Sequence, residues 1–144
     1  MSSETEVLVT GTFNIVHPGH VELLEFASKY GKVTVGINAD NYLADKYGEL
    51  AIPALNRSFV LNSLVFVNKV IVFKEKEPSA LIKKLKPTYY IKGPDYKNKE
   101  LVEITAVEST GTRLIIQPAE KEFNSSELVK SLPKSAFKKL TKWT

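Results

Sequence analysis

The residues with the clearest chemistry lie in one segment, Gly-Thr-Phe-Asn-Ile-Val-His-Pro-Gly-His at positions 11–20, which holds both histidines of the chain. A β-branched run at 7–10 precedes it, and Pro18 is suited to the first position of a helix. The N-terminus of a helix attracts anions, because its backbone N–H groups are unpaired and its dipole is positive. We therefore predict a phosphate site in which His17 and His20 donate hydrogen bonds to growing negative charge.

Two other interpretations of the histidine pair remain open from the residues. His17 could only cap the helix, with His20 an ordinary surface or core residue. A metal site of two histidines is not expected, because no carboxylates lie nearby in the segment. The chain contains neither the Gly-x-Gly-x-x-Gly fingerprint of dinucleotide-binding proteins nor a P-loop.

The elements around this segment alternate between strand and helix. The patterns predict strands at 7–10, 32–37, 69–73, 88–91 and 112–116, and helices at 18–30, 57–67, 79–86, 99–109 and 125–132. This order predicts an α/β fold: a doubly wound, Rossmann-like, three-layer arrangement with a parallel sheet of about five strands. Ligands of such sheets bind beyond the carboxyl ends of the strands. Those ends are expected at Gly11, Asn38, Lys74, Lys92 and Gln117.

Composition narrows the class of protein. The 144 residues are 43% hydrophobic, which suits a single domain over 1–144 with a real core. The absence of cysteine excludes disulfides, thiolate metal sites and cysteine nucleophiles. No apolar run or signal-like N-terminus is present, so we expect a cytoplasmic protein without a membrane partner. The net charge of +4 suits an anionic ligand. We interpret the lysine-rich tail as a solvated end of the chain, so we expect no nucleic-acid partner.

The histidine segment resembles the signature Gly-Thr/Cys-Phe-Asp-x-x-His-x-Gly-His of the cytidylyltransferase-like nucleotidyltransferases. Five further landmarks of that family follow in order: Asn-Ala-Asp at 38–40, Lys46, Arg57, Lys-Gly-Pro-Asp-Tyr at 92–96 and Asn-Ser-Ser-Glu-Leu at 124–128. Within the family, the chain is most similar to the heptose-phosphate adenylyltransferase domain of lipopolysaccharide core biosynthesis and to glycerol-3-phosphate cytidylyltransferase. FMN adenylyltransferases are a third similar group.

The resemblance implies attack of a substrate phosphate on the α-phosphate of ATP or CTP, with release of pyrophosphate. It implies catalytic roles for His17, His20 and Lys46, and a Mg²⁺ ion that arrives with the triphosphate. It also implies a homodimer, and a phosphorylated small molecule as acceptor, with a sugar phosphate such as heptose 1-phosphate favoured. The nucleotide-binding residues that it implies are Gly11, Thr12, Phe13, Asn14, Gly19, Lys92, Gly93, Asp95, Asn124, Ser125 and Ser126.

Some positions leave alternatives open. Asp40 and Arg57 are candidates for binding substrate or phosphate, but Arg57 could equally pair with a carbonyl, and Ser125 and Ser126 could cap a helix. Asn14, Val65 and Asn68 depart from the family pattern, which indicates either a changed acceptor or weakened activity. The persistence of both histidines and Lys46 favours an active enzyme over a regulatory nucleotide-binding module.

Overall fold

The computed structural model describes residues 5–96 and 100–118. Five parallel strands form one sheet in the order β3-β2-β1-β4-β5. The strands are β1 (Glu6–Gly11), β2 (Lys32–Asn38), β3 (Lys69–Phe73), β4 (Tyr89–Lys92) and β5 (Arg113–Ile116). The helices are α1 (Pro18–Ser28), α2 (Asp40–Tyr47), α3 (Ala54–Asn62), α4 (Ser79–Leu85) and α5 (Ile104–Ser109). The predicted α/β class and five-stranded parallel sheet are confirmed.

The two faces of the sheet are covered by different helices, which gives the predicted three layers. Successive side chains of a strand point to opposite faces, so Val7 and Val9 of β1 pack with Leu24 of α1 and Leu61 of α3. Leu8, between them, packs on the other face in a cluster with Ile82 of α4 and Ala106 of α5. The near-continuous burial of β1 and β2 follows from having a helical layer on both faces.

Helix α3 differs most from its prediction, since it spans Ala54–Asn62 and not 57–67. It begins earlier because Pro53, in an extended conformation, is the residue before its first turn. It ends earlier because the sequence Val-Phe-Val at 65–67 holds two β-branched residues, which favour helix less. Residues 63–67 instead form tight turns, with the Val67 amide donating to the Leu64 carbonyl at 3.1 Å.

Helix α5 is also shorter than predicted, beginning at Ile104. The predicted helix at 125–132 lies outside the described residues. No helix in the described ranges is long and apolar enough to cross a membrane.

The order of the strands locates the point where a ligand would bind. From β1 the chain moves outward through β2 and β3, and then returns past β1 to form β4. Helices α1 and α4 consequently lie on opposite faces, and the loops after β1 and β4 diverge at the carboxyl edge of the sheet. In doubly wound folds this divergence opens the crevice that holds the ligand.

Candidate active site

A cavity of about 460 Å³ lies at this edge of the sheet. Every strand contributes a residue from its carboxyl end or the position just after it: Thr10, Asn38, Phe73, Lys92 and Gln117. The histidine segment and the 92–96 loop face each other across the opening between β1 and β4. The cavity therefore lies where the sequence predicts the ligand site, at the carboxyl ends of the strands.

The two histidines are joined at the start of α1 as a reciprocal cap. His17 is the residue before the first turn, and its Nδ1 accepts a hydrogen bond from the Gly19 amide at 3.1 Å. His20 Nδ1 accepts from the His17 amide at 3.3 Å. The imidazole rings stack with their centroids 3.9 Å apart and an angle of 19° between their planes. The cap interpretation of His17 is thus correct, and the same ring also lines the cavity.

Burial favours the neutral form of both imidazoles. Burial, with a smaller contribution from the neighbouring His17, lowers the pKa of His20 to about 3, although a hydrogen bond to the Ile15 backbone acts in the opposite direction. Burial also lowers the pKa of His17. Since Nδ1 of each ring accepts an N–H, the proton of each neutral ring is on Nε2. The site therefore holds uncharged hydrogen-bond donors at neutral pH.

One expectation about this helix terminus is wrong. The Gly19 and His20 amides are not unpaired, because the first donates to His17 Nδ1 and the second to the His17 carbonyl at 2.9 Å. Pro18 has no N–H to contribute. The cap made by His17 has used the donors that a bound phosphate would otherwise meet, so an anion here would be attracted by the helix dipole and the histidine rings.

The ring of Phe13 packs against the histidine pair through His20. Its backbone has a φ of +47°, which is uncommon for a bulky residue, and its side chain is buried. The ring packs against His20 with a centroid distance of 4.7 Å. A Cβ on Gly11 would lie 3.0 Å from the same ring, so glycine leaves the space that Phe13 fills. Gly11, Thr12, Phe13 and Gly19 all line the cavity, as expected of nucleotide-binding residues.

Lys46 also lines the cavity, from the last turn of α2. Its side chain is exposed, and its ammonium group lies 5.4 Å from the centroid of the Tyr47 ring. The helix ends at Gly48, which has a φ of +61°, so Lys46 lies beside a tight turn at the rim. This location is compatible with the role that the family resemblance implies for Lys46, which stays a prediction.

Three of the predicted binding residues do not line the cavity: Asn14, Asp40 and Arg57. Asn14 is buried, and its amide donates to the Leu50 carbonyl at 3.1 Å and accepts from the Ile52 amide at 2.8 Å. A carboxylate could not make the first of these bonds. Asparagine at this position is therefore explained by the segment 50–52 that it holds.

Arg57 is 1% exposed and is surrounded by backbone carbonyls. It donates to the carbonyls of Ile52, Thr12 and Asn38 at 2.7, 3.0 and 2.8 Å. Its remaining partner is Asp40 at 3.1 Å, and Asp40 also accepts from the Ala54 amide at 2.6 Å. The carbonyl alternative therefore describes Arg57, which is buried and does not line the cavity.

Lys92, Gly93 and Asp95 line the cavity opposite the histidines. A Cβ built on Gly93 would meet no atom within 4 Å, so the space above this residue is open to a ligand. Glu103 lies beside Lys92, and sequence reasoning missed it. It falls inside a predicted helix where no pattern distinguishes it from the neighbouring glutamates. Asn124, Ser125 and Ser126 lie outside the described residues.

Two more observations concern the metal and the family departures. No three His, Asp or Glu side chains within 5–96 and 100–118 lie close enough together to hold a metal ion.

Val65 and Asn68 precede β3, at the end of the sheet away from the cavity, and both are exposed. Neither one lines the cavity.

Comparison with known proteins gives a consistent picture. A family model described as cytidylyltransferase-like matches residues 8–131. The bifunctional protein HldE of Aliarcobacter butzleri is 42% identical over 100 residues, which are 67% of this chain and 21% of that protein. HldE of Helicobacter pylori strain J99 is 34% identical over 132 residues, which are 90% of this chain and 28% of that protein. The matched part of the chain therefore spans less than a third of the length of these relatives.

Solved structures share the fold. A lipopolysaccharide core biosynthesis protein from Thermoplasma volcanium superposes with a TM-score of 0.68 and 23% identity, over 81% of this chain and 98% of that one. Pantothenate synthetase from Thermus thermophilus superposes with a TM-score of 0.64 and 15% identity, over 95% of this chain and 65% of that one.

Proposed function

The chain belongs to the cytidylyltransferase-like family, and we propose that it is a nucleotidyltransferase that moves a nucleotidyl group from ATP or CTP to a phosphorylated small molecule. The observation that carries the proposal is the pair of neutral, stacked histidines at the start of α1, which line a cavity at the switch point of the sheet. A sugar phosphate such as heptose 1-phosphate is the favoured acceptor. The similarity to HldE and to a lipopolysaccharide core biosynthesis protein supports this choice.

In this reaction an oxygen of the acceptor phosphate attacks the α-phosphorus. The bond from that phosphorus to the oxygen bridging to the β-phosphate breaks, and pyrophosphate leaves with the electron pair. No protein nucleophile is needed, so the protein's contribution is to position both phosphates and to stabilise charge on their oxygens. A magnesium ion would be carried by the triphosphate oxygens, because the described residues offer no cage for it.

The neutral histidines suit this chemistry. A neutral imidazole can donate an N–H to the α-phosphate as negative charge grows there, and neither ring must lose a proton first. His20 would exchange its hydrogen bond to the Ile15 backbone for this contact, and His17 would have to expose its buried Nε2. Their mutual cap holds both rings at the start of α1 before the substrate arrives. Lys46 at the rim would neutralise a phosphate oxygen as a point charge.

The test is pyrophosphate release with ATP and CTP, each combined with heptose 1-phosphate, glycerol 3-phosphate and FMN. We expect one productive pair, and a loss of about 10²–10³-fold in kcat for His17→Asn and His20→Ala. Asparagine retains the ability to cap a helix, so His17→Asn separates the loss of the imidazole from the loss of the cap. Glu25→Ala, an exposed change on the same helix, is the control and should keep the wild-type rate.

Two results would contradict the proposal. Unchanged rates in both histidine variants would remove the histidines from the mechanism. Binding of a triphosphate without turnover for any acceptor would instead favour a nucleotide-binding regulatory module.

A further inference from the structure

Lys92 is the most unusual charged residue of the cavity. Its side chain is 8% exposed although it carries an ammonium group, and burial lowers its pKa despite the nearby carboxylate. Among the described residues, its Nζ makes no hydrogen bond. Its contacts are the Tyr96 ring, with Nζ 4.2 Å from the centroid, the Tyr90 ring at 5.6 Å, and Glu103 Oε2 at 3.9 Å.

A largely buried ammonium group without a hydrogen bond to the protein is costly, because its N–H donors have lost part of their hydration and gained no protein acceptor in return. The Tyr96 ring recovers only part of this cost through its negative face. The separation of 3.9 Å from Glu103 is longer than a hydrogen bond. Since Lys92 lines the cavity, its donors are available to an oxygen atom of a ligand.

Glu103 is held rigidly beside Lys92. Its side chain is 7% exposed, and its Oε2 accepts a hydrogen bond from the Tyr90 hydroxyl. The Tyr90 hydroxyl is in turn 2.7 Å from Thr10 Oγ1 at the end of β1. The structure gives the other oxygen, Oε1, no partner in the part of the chain that it describes. The cavity thus presents one fixed acceptor next to one fixed set of donors.

Charge selects the class of ligand group that fits this pair. A phosphate would be attracted by Lys92, but it would be repelled by the carboxylate 3.9 Å away. A hydroxyl group avoids this conflict, because it can accept from Lys92 and donate to Glu103 at the same time. Adjacent hydroxyls of a sugar would satisfy both residues without bringing a charge into a buried site.

We propose that Lys92 and Glu103 form a binding pair for adjacent sugar hydroxyls on the floor of the cavity. The inference rests on the proposed function, which supplies two sugars: the ribose of the nucleotide and the sugar of a phosphorylated acceptor. Tyr90 and Tyr96 are positioning residues, since they fix Glu103 and Lys92 and need not contact the sugar.

Binding measurements by calorimetry on the whole chain test the inference without turnover. The probes are ATP, 2′,3′-dideoxy-ATP and heptose 1-phosphate, and the variants are Lys92→Met and Glu103→Gln. Glu103→Gln keeps the size of the side chain and an oxygen for Tyr90, so it remains informative if Lys92→Met fails to fold. Lys83→Met, an exposed change on α4 outside the cavity, is the matched control.

We expect both variants to weaken binding of ATP, of heptose 1-phosphate or of both by about tenfold or more, with Lys83→Met unchanged. A loss confined to ATP, with dideoxy-ATP bound equally by all proteins, identifies the ribose. A loss confined to heptose 1-phosphate identifies the acceptor sugar. A loss with both probes, again without effect on dideoxy-ATP, means that the pair serves both sugars.

Three outcomes overturn the inference: wild-type binding of neither ATP nor heptose 1-phosphate, no change in either variant, or equal losses for ATP and dideoxy-ATP without a loss for heptose 1-phosphate. The last outcome would mean that the pair contacts phosphate or base. Turnover is not part of the readout. A chain that shows these binding losses but releases no pyrophosphate would contradict the proposed function and leave the hydroxyl pair supported.

Discussion

At the scale of single residues, the site is defined by polar groups whose usual behaviour is changed by burial. Burial favours the neutral form of His17 and His20, and the neighbouring His17 adds to this effect at His20. Lys92 stays in the cavity floor because Glu103 and two tyrosine rings compensate part of its lost hydration. These residues contribute to function through their surroundings, which are assembled from distant parts of the chain.

The lowered pKa of His20 predicts a dependence of stability on pH. In the unfolded chain a histidine binds a proton near pH 6.5, whereas in the folded protein His20 does so only near pH 3. Below pH 6.5 the unfolded state therefore binds more protons, and the free energy of unfolding falls as the pH is lowered towards 3. The slope from this residue approaches about 1.4 kcal/mol per pH unit.

Urea unfolding at pH 7, 6 and 5 measures this effect. His20→Gln should lose less stability on acidification than the wild type, because glutamine does not titrate. Glu25→Gln, at an exposed position, should keep the wild-type slope over this range. Identical slopes for His20→Gln and the wild type would refute the assignment of the effect to His20.

Asn14 gives a second prediction at this scale. Asn14→Asp replaces the amide donor by an oxygen that faces the Leu50 carbonyl, so a hydrogen bond of 3.1 Å becomes a repulsive contact. The expected loss is about 1–3 kcal/mol in the free energy of unfolding. Asn62→Asp, an exposed change at the end of α3, is the control. Equal unfolding midpoints in urea for the two variants would contradict the role given to Asn14.

At the scale of elements, Arg57 connects three segments that sequence places far apart. Its guanidinium joins the loop after β1, the end of β2 and the segment before α3, through the carbonyls of Thr12, Asn38 and Ile52. Through Asp40 it also fixes the start of α2, the helix that carries Lys46. The position of Lys46 at the rim consequently depends on a residue that does not line the cavity itself.

Arg57→Met should therefore affect the fold and the site together. It leaves buried carbonyls without donors, and we expect a loss of about 3–5 kcal/mol in the free energy of unfolding. Arg57→Lys keeps the charge and cannot donate in the same fork geometry, so it should lose stability while remaining folded. Arg113→Met, at an exposed position of β5, is the matched control. A loss no greater than that of the control would show that this network is not stabilising.

At the scale of the whole molecule, the surface of α3 carries an apolar face. Leu55 and Phe59 lie one turn apart and are 83% and 75% exposed. Adjacent exposed apolar residues of this size often mark a surface between proteins. The resemblance to the family already implies a homodimer, and this face is where we expect the two copies to meet.

Light scattering in solution measures the mass of the assembly directly. We expect the wild-type chain to have the mass of a dimer and Phe59→Asp to have the mass of a monomer, because a carboxylate would be buried in the interface. Lys83→Asp, on the helix layer at the opposite face of the sheet, should remain a dimer. A monomeric wild type would exclude the dimer. A dimeric Phe59→Asp would mean that the interface lies elsewhere on the surface.

The sequence by itself determined the five strands, the four helices α1, α3, α4 and α5 between them, the edge of the sheet that holds the cavity, and the histidine pair that lines it. These features follow from short-range patterns: hydrophobic period, turn residues, and a motif whose members are close together along the chain. Even the cap formed by His17 was among the alternatives, because capping depends on residues within one helical turn.

Only the tertiary structure decided which polar groups from distant segments meet. Asn14 and Arg57 resemble binding residues in the sequence, yet their partners lie 36 to 45 positions away at Leu50 and Thr12, and those partners turn them from the cavity. Glu103 belongs to no recognisable sequence motif. It lies beside Lys92 only because the fold packs its segment against the end of β4. A pattern shows which face of an element is buried, but hydrogen bonds between elements depend on how those elements pack, and that is fixed by the fold.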